Sequence, residues 1–231
     1  MAPHHHSSPA TRLAVLISAC CLHSITSPGT AIAAPLQEPQ PQNQLIDIWN
    51  GPAPGETTRN PGTPLPRRPE ELPPVTRISN ITQPTLTLYP AKPTNTPSPA
   101  VLILPGGGFR RVVVDKEGSE IAAWLNTLGC SAFVLRYRTA DDATTTPWLK
   151  PLQDAQRAMA IIRSRAAEWQ IDPQQLGIAG FSAGGQAAAR LLGDGGKLAY
   201  PAADAIDQLS HRPDFALLIY PWNLWNPDTD Q

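Results

Sequence analysis

Histidine and cysteine are scarce in this chain, and where they fall matters more than their number. Four of the five histidines stand at positions 4, 5, 6 and 23, which leaves His211 alone in the body of the sequence. Of the three cysteines, Cys20 and Cys21 belong to an apolar leader and only Cys130 follows it. A single thiol forms no internal disulfide, so a disulfide-stapled scaffold is excluded and stability has to come from packing. Beyond the leader no His, Cys and carboxylate groups cluster at ligand spacing, so no metal and no organic cofactor is implied. An excess of one charge is also lacking: 18 Lys+Arg face 19 Asp+Glu, for a net charge of -1. No long-range field gathers nucleic acid or an anionic membrane surface, and a small neutral molecule is the more natural ligand. No stretch reaches the roughly 20 apolar residues of a membrane-spanning helix. There is no internal repeat.

What is present begins with the leader. Arg12 precedes an apolar run over residues 13–22, and small Ala31 and Ala33 suit a signal-peptidase cut before Ala34. Residues 1–33 are therefore expected to be a signal peptide, and the mature protein to be secreted or periplasmic. The alternative is a lipoprotein anchored at Cys20, behind Ile17-Ser18-Ala19. Sixteen of the 27 prolines then fall between Pro35 and Pro99. Proline lacks the backbone donor and restricts the residue before it, so residues 34–74 are expected to be a Pro-rich linker or disordered, with the folded domain over 75–231. Period-two alternation in Thr85-Leu86-Thr87-Leu88-Tyr89, between Pro84 and Pro90, predicts a half-exposed strand at a sheet edge, paired with the stretch at 75–78.

From Ala100 onward, short apolar runs at 101–104, 132–135, 176–179 and 215–219 alternate with longer helical patterns. That alternation predicts an α/β fold, a mostly parallel sheet with helices on both faces. The clearest helix sets Leu152, Ala155, Met159, Ile162, Ala166 and Trp169 on one apolar stripe. Within it Asp154, with Arg157 one turn on, reads as a helix-terminal charge pair. Shorter helices are expected over 116–128, stopped by Gly129, and over 182–192, stopped by Gly193.

The sharpest chemical signal is Gly180-Phe181-Ser182-Ala183-Gly184, because it follows a strand and precedes an Ala-rich helical run. Strand, tight turn and helix form the context in which such a serine is a nucleophile: the sharp turn lifts its hydroxyl above the sheet, and glycine at the flanking positions lets neighbouring backbone pass. The bland alternative is a Gly/Ala-rich turn with Ser182 as an N-cap. A second signal, Pro105-Gly106-Gly107-Gly108-Phe109, ends the strand at 101–104. Successive glycines expose N–H groups, and those of Gly107 and Gly108, with the N–H of Ala183 at a helix start, are candidate donors to the oxyanion of an acyl-transfer intermediate. A phosphate-binding loop fails, since Arg110 and Arg111 stand where its glycine or Gly-Lys should be.

Together the Pro-Gly-Gly-Gly-Phe turn, Asp115-Lys116-Glu117-Gly118, Leu135-Arg136-Tyr137-Arg138 and the Gly-Phe-Ser-Ala-Gly-Gly elbow resemble α/β-hydrolase-fold esterases over residues 78–221. The resemblance is to bacterial acetyl-xylan-esterase-like and feruloyl-esterase-like enzymes of the hormone-sensitive-lipase type. It implies a serine esterase that removes short acyl groups, above all acetyl, from carbohydrate through an acyl-enzyme, with no metal and no organic cofactor. Relatives with a His-Gly-Gly-Gly turn carry histidine where this chain has Pro105, so that histidine's role does not carry over. The family order Ser, Asp, His also lacks its later members here. His211 precedes the strand at 215–219 and so falls at the sheet end opposite Ser182, where a structural role is expected. Asp228 follows that strand on the correct side and is a weak candidate for the acid; Asp230 lies beside it. The chain is therefore expected to be C-terminally truncated, with the later strands missing and little activity of its own. The rivals are a serine peptidase of the prolyl-oligopeptidase type and a catalytically dead hydrolase-fold binding protein. Arg110 and Arg111 read as a solvated loop, and Trp222 and Trp225 as crevice-flanking residues able to stack on a sugar.

Overall fold

The computed structural model describes residues 43–141 and 143–224. The leader, Cys20, Trp225, Asp228 and Asp230 lie outside them. From Ser98 on, the chain alternates strand and helix as its pattern predicts. β5 (Ser98–Leu104), β7 (Ser131–Arg136), β8 (Ile171–Phe181) and β9 (Phe215–Ile219) run parallel in the order β7-β5-β8-β9. The connections carry α1 (Glu120–Thr127), α2 (Leu149–Ser164) and α3 (Ala183–Gly193).

The period-two geometry of β5 divides its side chains between two cores. Val101 and Ile103 pack with Ala122 and Leu125 of α1, while Leu102 and Leu104 pack with Leu152, Ala155 and Met159 of α2 and with Ala187 of α3. Helices thus cover both faces, which is why the strands are apolar throughout rather than alternating. From β5 the chain steps to β7 on one side, then returns across to β8 and on to β9. The reversal falls between β5 and β8, the place at which an open α/β sheet forms its crevice beyond the strand C-termini.

Residues 43–74 depart from the Pro-rich linker expected over 34–74, of which 34–42 lie outside the described residues. β1 (Gln44–Asp47) pairs antiparallel with β4 (Thr85–Tyr89), and β4 pairs antiparallel with β7, extending the main sheet to six strands. β2 (Thr63–Pro64), β3 (Arg77–Ser79) and β6 (Arg111–Val113) make a separate three-stranded antiparallel sheet. β4 is therefore not an edge strand, and its partner is not the 75–78 stretch: β1 covers the side that proline was expected to leave open, and Leu86 and Leu88 are buried. Proline density misleads here because residues 46–53 contribute buried Ile46, Ile48, Trp49 and Ala53 to the main core between the prolines.

Two buried arginines tie that segment down. Arg138 Nε meets Asp154 Oδ1 and Oδ2 at 2.9 and 3.0 Å, its Nη1 donates to Pro54 O at 2.6 Å, and Trp49 Nε1 donates to Asp154 Oδ1 at 3.0 Å. The partner of Asp154 is thus Arg138 rather than Arg157. Arg157 instead donates to Ile48 O at 3.0 Å and to Asp204 and Asp207 at 2.6–2.8 Å. A helix pattern shows that two charges share a helix but not that each has a nearer partner elsewhere. At the other margin, β9 is the edge strand among the described residues, with Phe215, Leu217 and Leu218 each 37–41% exposed.

Candidate active site

The ends of β5, β8 and β9 are level: Leu104 registers with Gly180, and Phe181 with Ile219. Ser182 is the next residue after β8 and the N-cap of α3, at φ 50° and ψ -117°. A non-glycine residue held there stores about 1–3 kcal/mol of backbone strain. Its conformation is enforced by three backbone bonds. Ser182 N donates to Ile219 O at 3.1 Å, while Ser182 O accepts from Gln186 N at 3.1 Å and from Trp222 N at 3.0 Å. The side chain makes no capping bond, so the N-cap alternative does not explain why serine stands here.

The glycines of the elbow are required by contact. A Cβ on Gly180 would lie 2.5 Å from Gly184 O, and one on Gly184 would lie 2.1 Å from Leu104 O. Strand and helix can cross so closely only where both lack side chains. The second glycine turn packs directly beside the elbow: a Cβ on Gly106 would come within 3.1 Å of Ser182 Cβ and 3.0 Å of Phe181 O. Gly107 and Gly108 follow at φ 139° and 65°. The Gly107 and Gly106 carbonyls accept from Arg111 N at 3.3 Å and Val113 N at 3.1 Å. Among the described residues, no acceptor meets the N–H groups of Gly107, Gly108 or Ala183. Phe109, at φ 61°, is wholly buried, with its ring edge-on to Tyr137 and Trp222 at centroid distances of 6.4 and 6.5 Å.

One residue at this site was not singled out as functional in the sequence. Glu117, on the π-helical turn Asp115–Ser119, accepts from Gly106 N at 2.5 Å through Oε2 and from Tyr220 OH at 2.6 Å through Oε1. The only hint was its place in the Asp-Lys-Glu-Gly run; no periodicity says that a carboxylate there faces the glycine turn 11 residues earlier. Burial and the Glu117 carboxylate push the Tyr220 phenol well above its ordinary value, so it stays protonated as a donor.

The structure does not bring His211 to this site. Its Nε2 lies 3.0 Å from Asp194 Oδ2, just past the C-terminus of α3. Eleven helical residues, about 16 Å of axis, separate that end from Ser182. His211 is buried against Asp194, far from Ser182. Arg110 is exposed, and Arg111 is half-buried in β6. Among the described residues no group of three His, Cys, Asp or Glu side chains could hold a metal ion, and no helix is long and apolar enough to cross a membrane.

Residues 86–198 match the model of the BD-FAE family. The chain is 31% identical over 129 residues to an acetylxylan esterase of Xylanibacter ruminicola, covering 56% of this chain and 24% of that protein. It is 37% identical over 128 residues to an endo-1,4-beta-xylanase B of Butyrivibrio fibrisolvens, covering 52% of this chain and 19% of that protein. The chain thus spans a quarter or less of these relatives. Among solved structures, an acetyl ester-xyloside bifunctional hydrolase of Caldicellulosiruptor lactoaceticus superposes with a TM-score of 0.53 at 28% identity, over 80% of this chain and 59% of that one. An α/β-hydrolase enzyme from a deep-sea metagenome library superposes with a TM-score of 0.50 at 29% identity, over 66% of this chain and 59% of that one. The superposition on an α/β-hydrolase agrees with the fold described above.

Proposed function

We propose that this chain, an α/β-hydrolase-fold relative of the esterases, is a serine carboxylic ester hydrolase scaffold acting on short acyl, above all acetyl, esters of carbohydrate. The observation that carries the proposal is the strained, bond-locked Ser182 beside a glycine turn at the switch point of the sheet. Ser182 Oγ attacks the ester carbonyl carbon, and the negative charge that develops on the carbonyl oxygen is held by the N–H groups of Gly107, Gly108 and Ala183. Collapse expels the alcohol, which takes up a proton, and leaves an acyl-enzyme that water then cleaves. Donors already in place need no reorganisation as charge develops, and losing one of them typically costs about a hundredfold or more in rate. The carbohydrate part is supported by the acetylxylan esterase and the acetyl ester-xyloside hydrolase named above.

Among the described residues no imidazole approaches Ser182, and a serine without a base is a weak nucleophile at neutral pH. These residues alone are therefore expected to react slowly. That same observation favours one rival, a hydrolase fold that binds an ester without cleaving it. Intact mass after exposure to a fluorophosphonate tests the nucleophile independently of substrate. A slow single adduct that is absent from Ser182→Ala supports the proposal. Rapid labelling would mean that a base does reach Ser182, and an adduct unchanged by Ser182→Ala would refute the assignment.

A further inference from the structure

Glu117 is not needed for the chemistry just described, yet it bonds both the glycine turn and the segment after β9. The Pro105–Gly106 peptide is held at both poles: its carbonyl accepts from Tyr137 OH at 2.5 Å, and its N–H donates to Glu117 Oε2 at 2.5 Å. The other carboxylate oxygen takes Tyr220 OH, and Tyr220 lies between Ile219 and Trp222, two of the three residues that bond the backbone of Ser182. A closed ring of contacts therefore runs from Gly106 through Glu117 and Tyr220 to Ser182.

Local structure is arranged to put the carboxylate there. Ser119 N reaches back to Val114 O at 3.0 Å, a five-residue step that widens the turn, a device often found at functional sites. Asp115 Oδ2 anchors the turn by accepting from Thr76 N at 2.6 Å. Gly118 lets the turn lie against Val134 and Pro105, which a Cβ would meet at 3.1 and 3.8 Å. Gly106 leaves room for the carboxylate itself, since a Cβ there would sit 2.7 Å from Glu117 Oε2. Tyr220 takes up φ 35° to reach it, with its ring edge-on to Phe181 at 6.1 Å.

We infer that Glu117 is a positioning residue that braces the glycine turn against the segment after β9 and so fixes the Gly107 and Gly108 N–H groups relative to Ser182. The inference rests on Ser182 being the nucleophile. The carboxylate is spent on two donors, Gly106 N and Tyr220 OH, which partly offset its charge beside the glycine turn. The chemistry asks for this because donors contribute fully only when they are aimed before the reaction starts.

Amide hydrogen exchange at Gly106 and the fluorophosphonate labelling rate of Ser182, measured on the full chain, test it together. In Glu117→Ala the Gly106 amide should exchange about ten- to a hundredfold faster, the range for losing a hydrogen bond to a charged acceptor. Labelling should slow by tenfold or more. Glu117→Gln keeps an acceptor for Gly106 and offers an N–H to the Tyr220 oxygen, so it should restore most of both; a residue needed only for folding would show no such selective rescue. Tyr220→Phe, half-exposed and conservative, should loosen Gly106 by a smaller factor and guards against a misfolded Glu117→Ala. Unchanged Gly106 exchange in both Glu117→Ala and Tyr220→Phe overturns the brace. Faster exchange with undiminished labelling overturns its role at Ser182. If Ser182 labels in no protein, wild type included, the nucleophile assignment fails instead, and Gly106 exchange alone decides whether Glu117 holds the turn.

Discussion

Replacing Gly184 by alanine asks whether the elbow depends on the close crossing of α3 and β5. The new Cβ would stand 2.1 Å from Leu104 O and 2.7 Å from Pro105 O, whereas real Cβ contacts essentially never fall under 3.0 Å. Both obstacles are backbone, one at the end of a central strand that cannot yield without breaking its ladder and one in the turn that follows it, so α3 must retreat by about 0.9 Å. Forcing a methyl group into a packed crossing costs about 1–3 kcal/mol. At about 2–4 °C per kcal/mol for a domain of this size, the melting temperature should fall by roughly 2–12 °C. The same retreat carries Ser182 and the Ala183 N–H with it, and a displacement of about 1 Å can cost about a hundredfold in rate. Gly193→Ala is the internal control: it lies at the end of the same helix with nothing within 4 Å of a Cβ, and alanine there should be neutral or stabilising by up to about 1 kcal/mol. Thermal unfolding by circular dichroism, with fluorophosphonate labelling alongside, reads both quantities. A Gly184→Ala protein melting within a degree of wild type and labelling at the same rate would refute the close-crossing account.

Other perturbations reach the rest of the fold. Asp154→Ala leaves the wholly buried Arg138 guanidinium with only the more distant Glu56 carboxylate, at 3.7 Å, and should destabilise by about 3–5 kcal/mol in urea unfolding, whereas replacing both Asp154 and Arg138 with apolar residues should recover much of the loss. Arg157, by hydrogen bonding, holds the Asp204 carboxyl below its usual range; for Asp207, burial pushes upward but the Ala203 N–H, Arg157 and Tyr200 outweigh it. Depressed carboxylates add stability that is fully present above the unfolded value of about 3.9 and is lost as pH falls through the lower folded values, so unfolding free energy should drop on the acid side, and less steeply in Arg157→Met. Burial raises the Cys130 thiol to about 11, so peptide mapping after iodoacetamide at pH 8 should find it unmodified in the folded protein and modified in urea.

The parts of this fold that could be read in advance are those whose signal is local. The strand at 215–219 is found where expected because its uninterrupted apolar run marks it as a strand, although among the described residues it lies at the sheet edge with its side chains exposed, and the helix after Ser182 runs to Gly193. The elbow was legible for a similar reason: two glycines two residues either side of a serine, between strand and helix, admit few other backbone solutions. β1 was not legible, because its four residues gain meaning only from β4, some 40 positions later, and the surrounding prolines point the other way. The partners of Asp154 are not legible either, since Trp49, 105 positions away, and Arg138 lie outside the helix repeat.

The amino-acid order alone determined the alternation of apolar strand and amphipathic helix, and with it the parallel sheet, the position of Ser182 beyond a strand, and the placing of His211 at the opposite end. These follow from periodicity and from steric limits on single turns, both of which act over a few residues. Tertiary structure alone decided which strand covers β4, which carboxylate meets each buried arginine, and that Glu117 and Tyr220 join the glycine turn to the elbow. Each of those is a contact between segments distant in the chain, chosen by where a buried polar group can find a partner once the cores have closed.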